Sequence, residues 1–229
     1  MRQIAALLIP FLCSAFLAAK EEKTKLYAPW VSCLDDAAEH FVGPKTTKTP
    51  VLASPDQRLR AYAEIEAKLD TRTPETCENA ATLYLSVSGA PFKAVFVQSA
   101  ASPENRTMSS LGPAAWSGDS RWLFIERGLW NYYSDCCGYD FLLYDAASQK
   151  IVEPDILGAV LLKTGKLCGV GYGGFVGFNA ENQIILRIEY WRDGEAGQVS
   201  CGVGSADWLF DPITNNARLR TNRPERNRK

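Results

Sequence analysis

The sequence predicts an all-β protein built from three tandem antiparallel sheets, with one short helix near the N-terminus. Aromatic residues make up 11% of the chain and hydrophobic residues 46%, a composition rich in side chains that favour strands. Short apolar runs are bounded by turn residues, and the run from Trp122 to Glu126 is followed by a second one from Phe141 to Asp145. The same pattern returns on both sides of this middle copy, which indicates repeated units that stack on one another.

Residues 1–19 have the pattern of a secretory signal peptide. Arg2 precedes an apolar run from Ile4 to Leu17, and the small residues Ala18 and Ala19 follow it. The run is short for a membrane span, which needs about 20 apolar residues. We therefore expect cleavage near Ala19, a secreted or periplasmic mature chain, and no membrane-spanning segment.

The charge of the chain is close to neutral. Its 25 basic and 26 acidic residues give a net charge of −1 at pH 7, and loss of Arg2 with the leader changes this only to −2. Nucleic-acid-binding proteins usually carry a basic face, so this balance argues against a nucleic-acid partner.

Residues 20–49 are expected to form a helix and a loop ahead of the sheets. Ser32 and Asp35 resemble a capping box and Gly43-Pro44 is a stop signal, so the spacing predicts a helix from about Cys33 to Val42. A single β domain follows, with repeats at residues 50–112, 113–175 and 176–220. Residues 221–229 form a basic tail.

A polar turn precedes a strand in each copy of the repeat. The turns begin at Ser54, Ser117 and Asn179, so successive copies are 63 and 62 residues apart. The strands that follow at matching positions are 83–87, 141–145 and 208–211. No such unit can bury its apolar face alone, so the copies must pack against each other.

The first of these turns, Ser54-Pro-Asp-Gln-Arg58, resembles the Ser-Pro-Asp-Gly-Lys turn of the WD40-like repeats in TolB-type β-propellers. The turn from Ser117 to Arg121 is similar, and the one from Asn179 to Gln183 is a more distant version. The family's glycine is replaced here by residues that still suit a turn, namely Gln57, Ser120 and Asn182.

This resemblance implies propeller blades, yet propellers typically close with four to eight of them. Three recognisable blades leave several outcomes open. The propeller is open or incomplete, or further blades lie within residues 20–50 or 156–177, or chains pair in a homo-oligomer.

Six cysteines remain once the leader is removed, and they are Cys33, Cys77, Cys136, Cys137, Cys168 and Cys201. An even number in an exported chain predicts disulfides, whereas the lack of any C-x-x-C pair argues against a metal site. When the cysteines are aligned on the repeat, the first and third copies each contain two cysteines at matching positions. This alignment predicts a disulfide between Cys33 and Cys77 and another between Cys168 and Cys201. Each bond should contribute about 3–4 kcal/mol through the unfolded state. The two middle cysteines then bond to each other, or to different neighbours that tie the copies together.

The sequence contains no nucleophile elbow, P-loop or H-E-x-x-H motif. The glycine-rich run from Gly169 to Gly177 is interpreted as a strand rather than a phosphate cradle, because aromatic and β-branched residues lie within it. His40 is the only histidine and a poor basis for a catalytic triad. We assign no catalytic residue and no cofactor.

Aromatic residues beside carboxylates mark the connection between the second and third strands of the middle and third copies. Aromatic and carboxylate side chains together suit sugars or cationic ligands, although packing between blades is the alternative. The candidate ligand-binding residues are Trp130, Tyr132, Tyr133, Asp135, Tyr190 and Trp191.

The leading hypothesis is an exported, non-enzymatic binding or scaffold module whose partner is a protein or a glycan. A carbohydrate-active hydrolase is the alternative, and a structural component of the cell envelope is a third. The hydrolase requires a set of loop carboxylates to converge in one pocket. That set is Glu126, Asp135, Asp140, Glu189 and Asp193.

Overall fold

A computed structural model describes residues 31, 33, 40–69, 77–99, 101–102, 105–131, 137–164, 169–191 and 204–220. The predicted signal peptide and basic tail lie outside these residues, as does the interior of the predicted helix between Cys33 and Val42. Cys33 and residues 40–42, at the two ends of that predicted helix, are not helical. The Val42 N–H instead donates to the Cys33 carbonyl at 2.9 Å.

The described residues form three antiparallel sheets, which confirms the predicted all-β class. The first sheet contains β1 (Lys45–Lys48), β2 (Leu52–Ala53), β3 (Leu59–Leu69), β4 (Cys77–Val87) and β5 (Lys93–Ser99). The second contains β6 (Ala101–Ser102), β7 (Asn105–Trp116), β8 (Trp122–Asn131), β9 (Cys137–Asp145) and β10 (Lys150–Val152). The third contains β11 (Gly169–Phe178), β12 (Ile184–Trp191), β13 (Gly204–Asp211) and β14 (Asn216–Leu219). In the second and third sheets neighbouring strands follow one another in the chain, whereas in the first sheet both β1 and β2 pair with β3. None of these sheets closes on itself.

The sheets begin upstream of the predicted repeat boundaries. The boundary expected at residues 112 and 113 falls inside β7, and the one at 175 and 176 falls inside β11. The register of β7 against β8 shifts between Pro113 and Ala115. Because a proline is tolerated at a bulge or a sheet edge, the Gly112-Pro113 pair is accommodated within a strand rather than ending one.

Helix α1 (Ile156–Thr164) was not among the expected elements, which place a helix only near the N-terminus. Asp155 caps it, since the Asp155 Oδ1 accepts a hydrogen bond from the Gly158 N–H at 2.9 Å. Ile156, Ala159 and Val160 are buried between the helix and the third sheet.

The second sheet lies between the other two and is buried on both faces. Because side chains alternate along a strand, Leu123 and Ile125 of β8 enter a core shared with the first sheet, here called the first core. Trp122 and Phe124 enter a second core shared with the third sheet and α1. These four side chains are at most 5% exposed, which confirms the Trp122 to Ile125 segment as a core strand.

The outer faces of the first and third sheets are polar. On the first, Lys48 pairs with Glu64 at 2.9 Å beside the stacked rings of Tyr62 and Tyr84. On the third, Arg187 donates to Asp207 at 2.8 Å. The two internal sheet contacts are thus mainly apolar, and the two outer faces carry charge.

Candidate functional site

One end of the sheet stack, the turn end, consists of three turns with the same backbone conformation. The fourth residue of each turn has a positive φ: 61° at Gln57, 61° at Ser120 and 60° at Asn182. In the first two turns a serine side chain is hydrogen-bonded to the backbone of the same turn. The Ser54 Oγ accepts a hydrogen bond from the Leu59 N–H at 3.0 Å, and the Ser117 Oγ accepts one from the Trp122 N–H at 2.8 Å. The equivalence of the three turns predicted from the sequence is thus present in the structure.

The turns are also hydrogen-bonded to one another. The Asp56 N–H of the first turn donates to the Ser120 Oγ of the second at 3.1 Å. The Asp119 N–H of the second donates to the Asn182 Oδ1 of the third at 3.2 Å. The side chains of Ser120 and Asn182 therefore each accept from the preceding turn, and this pair of bonds aligns the three sheets.

The opposite end, the connection end, is where β3, β8 and β12 finish. These strands all start at the interlocked turns, so their last residues, Leu69, Asn131 and Trp191, lie at this same end. The connections that follow, residues 70–76, 132–136 and 192–203, lie outside the described part of the chain. The arrangement of these connections stays an expectation from the repeat.

A disulfide lies at the connection end of the first sheet. Cys33 and Cys77 are bonded, with 5.8 Å between their Cα atoms, and Cys77 is the first residue of β4. Nearby, the Asn79 side-chain amide donates to the Val31 carbonyl at 2.7 Å. This is the first predicted pairing, and it ties the chain ahead of the sheets to the stack. Cys136, Cys168 and Cys201 lie outside the described residues, so the remaining pairings stay predictions.

The structure places half of the candidate ligand residues at or near this end. Trp130 is in β8, where it pairs with Cys137 of β9, and Trp191 is the last residue of β12, paired with Gly169. Tyr190 is half-buried against the second core. The other three candidates, Tyr132, Tyr133 and Asp135, lie in the connection outside the described residues.

Within the second core, the layer nearer the connection end is polar. Here the Tyr172 hydroxyl of β11 donates to the Glu126 Oε1 of β8 at 3.1 Å. Burial raises the pKa of Glu126 above its ordinary value of 4.5, and the hydrogen bond from Tyr172 offsets only part of that rise. Burial raises the pKa of Tyr172 as well, and the neighbouring charge of Glu126 raises it further. We call Glu126, Tyr172 and Tyr190 the inter-sheet margin.

Tyr190 extends this margin along β12. Its hydroxyl oxygen accepts a hydrogen bond from the Trp208 Nε1 of β13. Burial raises the pKa of Tyr190, while the bond from Trp208 acts in the opposite direction. Trp130 lies four residues beyond Glu126 along β8, toward the connection end.

The carboxylates proposed for hydrolysis do not share a pocket where the structure describes them. Glu126 faces the second core, whereas Asp140 pairs with Arg127 at the opposite face of the second sheet. Glu189 is exposed on the outer face of the third sheet. Asp135 and Asp193 lie outside the described residues.

Tyr172 is the residue that sequence analysis did not single out. It sits within the glycine-rich strand β11, where its ring lies 5.6 Å from that of Phe141. Alternation in that strand could have indicated it, because Val170 and Tyr172 are two residues apart between glycines. The bulges in β11, between Tyr172 and Gly174 and between Phe175 and Gly177, obscure the period further along.

A surface groove of about 480 Å³ lies between α1 and the turn before β14. Its lining is mainly apolar, and its one acidic group, Asp155, is engaged in capping α1. The groove therefore brings no chemical groups together.

Two further features concern only the described part of the chain. No three or more His, Cys, Asp or Glu side chains there are grouped so that they could hold a metal ion. No helix there combines the length and apolar character needed to cross a bilayer.

The fold defines an all-β class of protein, an open stack of three antiparallel sheets. Comparison of the sequence with models of known protein families gives no match, and comparison with curated proteins gives none either.

Proposed function

We propose that this chain is an exported, non-enzymatic binding or scaffold module of β-propeller type that holds a protein or glycan ligand at its connection end. The observation that carries the proposal is the difference between the two ends of the stack. Hydrogen-bonded turns fix the sheets at one end, and β3, β8 and β12 finish at the other. Binding residues are commonly found on loops that a rigid scaffold supports.

Export is part of this proposal. The Cys33–Cys77 bond supports it, because disulfides form and persist in oxidising compartments such as the periplasm or the extracellular space. The leader pattern of residues 1–19 points the same way. Mass spectrometry of the exported chain should find a new N-terminus near residue 20, and a full-length chain retained in the cytoplasm would contradict export.

The likeness to TolB-type repeats belongs to the same proposal. It is supported by the three turns of matching conformation, in which a left-handed residue occupies the place of the family's glycine. Such a residue is usually glycine, and Asn is among the tolerated alternatives.

The arrangement of the candidate carboxylates argues against a hydrolase. Glycoside hydrolysis needs two carboxyl groups about 5–10 Å apart across one bond. Glu126, Asp140 and Glu189 instead face three different surfaces, which favours binding over catalysis. A structural envelope component would share the fold but show no saturable ligand.

A binding screen on residues 20–229 tests the proposal. The mature protein is applied to glycan arrays and to peptidoglycan, and bound proteins are captured from an envelope extract. For a ligand so found, Trp130→Ala and Trp191→Ala should each weaken affinity by about tenfold or more, the size expected for aromatic anchors. Phe92→Ala provides the matched control, because Phe92 lies beside the β4–β5 turn at the turn end. Unchanged affinity in both tryptophan variants would show that the ligand binds elsewhere on the protein.

A further inference from the structure

We propose that the surface formed by α1 and β14 docks on an anionic lipid surface, with the side chains of Leu162, Ile213 and Leu219 inserted among the headgroups. We call this surface the docking face. It lies at the edge of the third sheet, because β14 is the last strand in the order of that sheet.

The docking face exposes large apolar side chains. Leu162 of α1 is 75% exposed, Ile213 in the turn before β14 is 67% exposed, and Leu219 at the end of β14 is 51% exposed. A single exposed apolar residue is ordinary on a protein surface, whereas a patch of them marks an interaction site.

The three side chains belong to neighbouring elements, since α1 packs beside β14. The groove of about 480 Å³ is lined by Leu162 on one side and by Asn215, from the turn that contains Ile213, on the other. Ala217 is buried in the second core together with α1. Leu219, two residues further along β14, lies on the same face of that strand. The exposed residues therefore surround one place on the molecule.

Basic residues flank the leucines of the docking face. Lys163 directly follows Leu162, while Arg218 and Arg220 precede and follow Leu219, and these three basic side chains are exposed. Apolar side chains with Lys and Arg beside them are typical of segments that bind at the membrane interface, where anionic headgroups attract the bases.

The acidic side chains nearby are engaged within the fold. Asp155 caps α1, and the Asp211 Oδ1 accepts a hydrogen bond from the Ile213 N–H at 2.9 Å. Asp207 lies 3.6 Å from the Arg220 guanidinium and offsets part of its charge. Of the three bases, Arg220 is thus the one that contributes least to attraction of an anionic surface.

The other two bases keep their charge. The Arg218 guanidinium donates to the neutral amide oxygen of Gln183 at 3.0 Å, and Lys163 is exposed at the end of α1. Residues 221–229, which follow β14 in the chain, add four basic residues and one acidic residue. The charge of this part of the chain therefore complements an anionic partner.

The exposure of the apolar residues favours a lipid surface over a protein partner. A groove that receives side chains of another protein shelters the residues that line it, whereas Leu162 and Ile213 are largely exposed to water. Side chains that protrude can enter the boundary between headgroups and acyl chains without any matching cavity.

The docking face and the connection end are separate surfaces. Phe210 pairs with Ile184, the first residue of β12, so the turn that carries Ile213 lies at the turn end. Trp130 and Trp191 are at the opposite end. A molecule held through its docking face consequently keeps the connection end free, and the inference does not depend on the proposed function.

The test is flotation of the mature protein with lipid vesicles at pH 7. One set of vesicles contains phosphatidylglycerol and phosphatidylcholine in equal amounts, and the other contains phosphatidylcholine alone. The protein should bind the anionic vesicles at least about tenfold more tightly than the neutral ones, and added salt should reduce this difference.

Variants locate the binding surface. Leu162→Ser and Ile213→Ser should each weaken binding to the anionic vesicles by about tenfold, the effect of losing one inserted aliphatic side chain. Lys163→Gln should weaken it by about fivefold. The matched controls are Val97→Ser and Lys93→Gln on β5, because Val97 is 60% exposed and Lys93 is exposed as well.

The controls should bind both kinds of vesicle as wild type does, and circular dichroism checks that every variant is folded. Three results would overturn the inference: no binding to anionic vesicles, equal binding to both kinds, or equal loss in the variants and their controls. Capture of a protein through Leu162 without vesicle binding would likewise reject a lipid partner. Ligand binding through Trp130 and Trp191 is measured without vesicles, so failure of the proposed function is a separate outcome.

Discussion

At the scale of single residues, the left-handed positions of the turns have two roles that substitution can separate. Gln57 is exposed, and Ser120 is 4% exposed and accepts from the Asp56 N–H. Glycine relieves the positive φ at either position but makes the unfolded chain more flexible, so these effects largely cancel.

We therefore expect Gln57→Gly to change the free energy of unfolding little, within about 1 kcal/mol. Ser120→Gly also removes the hydrogen bond between turns, and it should be less stable than Gln57→Gly by about 1 kcal/mol. Urea denaturation of both variants measures the difference. Equal midpoints would mean that the bond between turns contributes no stability.

The carboxylate of Glu126, in the inter-sheet margin, should make the stability of the protein depend on pH. Since the pKa of Glu126 is raised in the folded protein, its protonated form is favoured there. Its stabilising contribution is full below the ordinary pKa of 4.5 and is lost as pH rises through the raised folded-state pKa. Glu126→Gln does not titrate, so its stability relative to wild type should increase between pH 4 and pH 7.

Denaturant midpoints of wild type and Glu126→Gln at the two pH values test this sign. A relative stability that falls from pH 4 to pH 7 would show that the charged form is favoured in the folded protein.

At the scale of elements, Trp122 anchors the second core from the start of β8. Its side chain is 5% exposed and packs with α1 and the third sheet. Trp122→Ala should therefore lower the free energy of unfolding by about 3–5 kcal/mol. Leu162→Ala on α1 is the comparison, because Leu162 is 75% exposed and should matter little. An unchanged denaturant midpoint for Trp122→Ala would contradict the assignment of β8 to the core.

The strands after each turn were predictable because their signal is local. Trp122 to Ile125 is a continuous apolar run, as expected for a strand buried on both faces, and a turn of Ser-x-Asp type precedes it. The strand before the second turn was harder to place. Pro113 within β7 resembles a break in the sequence, and only pairing with β8 makes that segment a strand. The glycine-rich run, by contrast, was correctly interpreted as a strand, which is β11.

Helix α1 was missed for a different reason. Its apolar run is short, and periodicity alone does not distinguish such a run from a buried strand. Asp155, directly before the run, is the signal that could have identified the helix start. In the candidate site, Trp130, Tyr190 and Trp191 were located by the repeat, whereas Tyr172 depends on how the third sheet packs on the second.

At the scale of the whole molecule, polar outer faces explain why a stack of three sheets can exist without closing. Terminal units of stacked repeats need a polar outer face for solubility. Arg60, Tyr62 and Glu64 of β3 supply it at one end, and Arg187 and Asp207 supply it at the other.

We expect the mature protein to be a monomer in dilute solution, because pairing would bury these charged faces. Light scattering coupled to size exclusion measures the mass directly. A stable dimer would instead favour the closing of two chains into one ring. Reversal of charge at Arg187 would then be expected to break that dimer, and this variant distinguishes outer-face pairing from association elsewhere.

The outer faces can also be regarded as the end groups of a growing polymer. The two outer faces of the stack differ, so contact between the outer face of one molecule and the opposite outer face of the next is heterologous. Where the rotation between successive molecules does not close a ring, such contacts build an open filament. On this view the charges on β3 and β12 limit the assembly to the single molecule expected above. Replacing Arg60, Glu64 and Arg187 with leucine should then convert a discrete molecule into the repeating unit of a filament, which electron microscopy would detect.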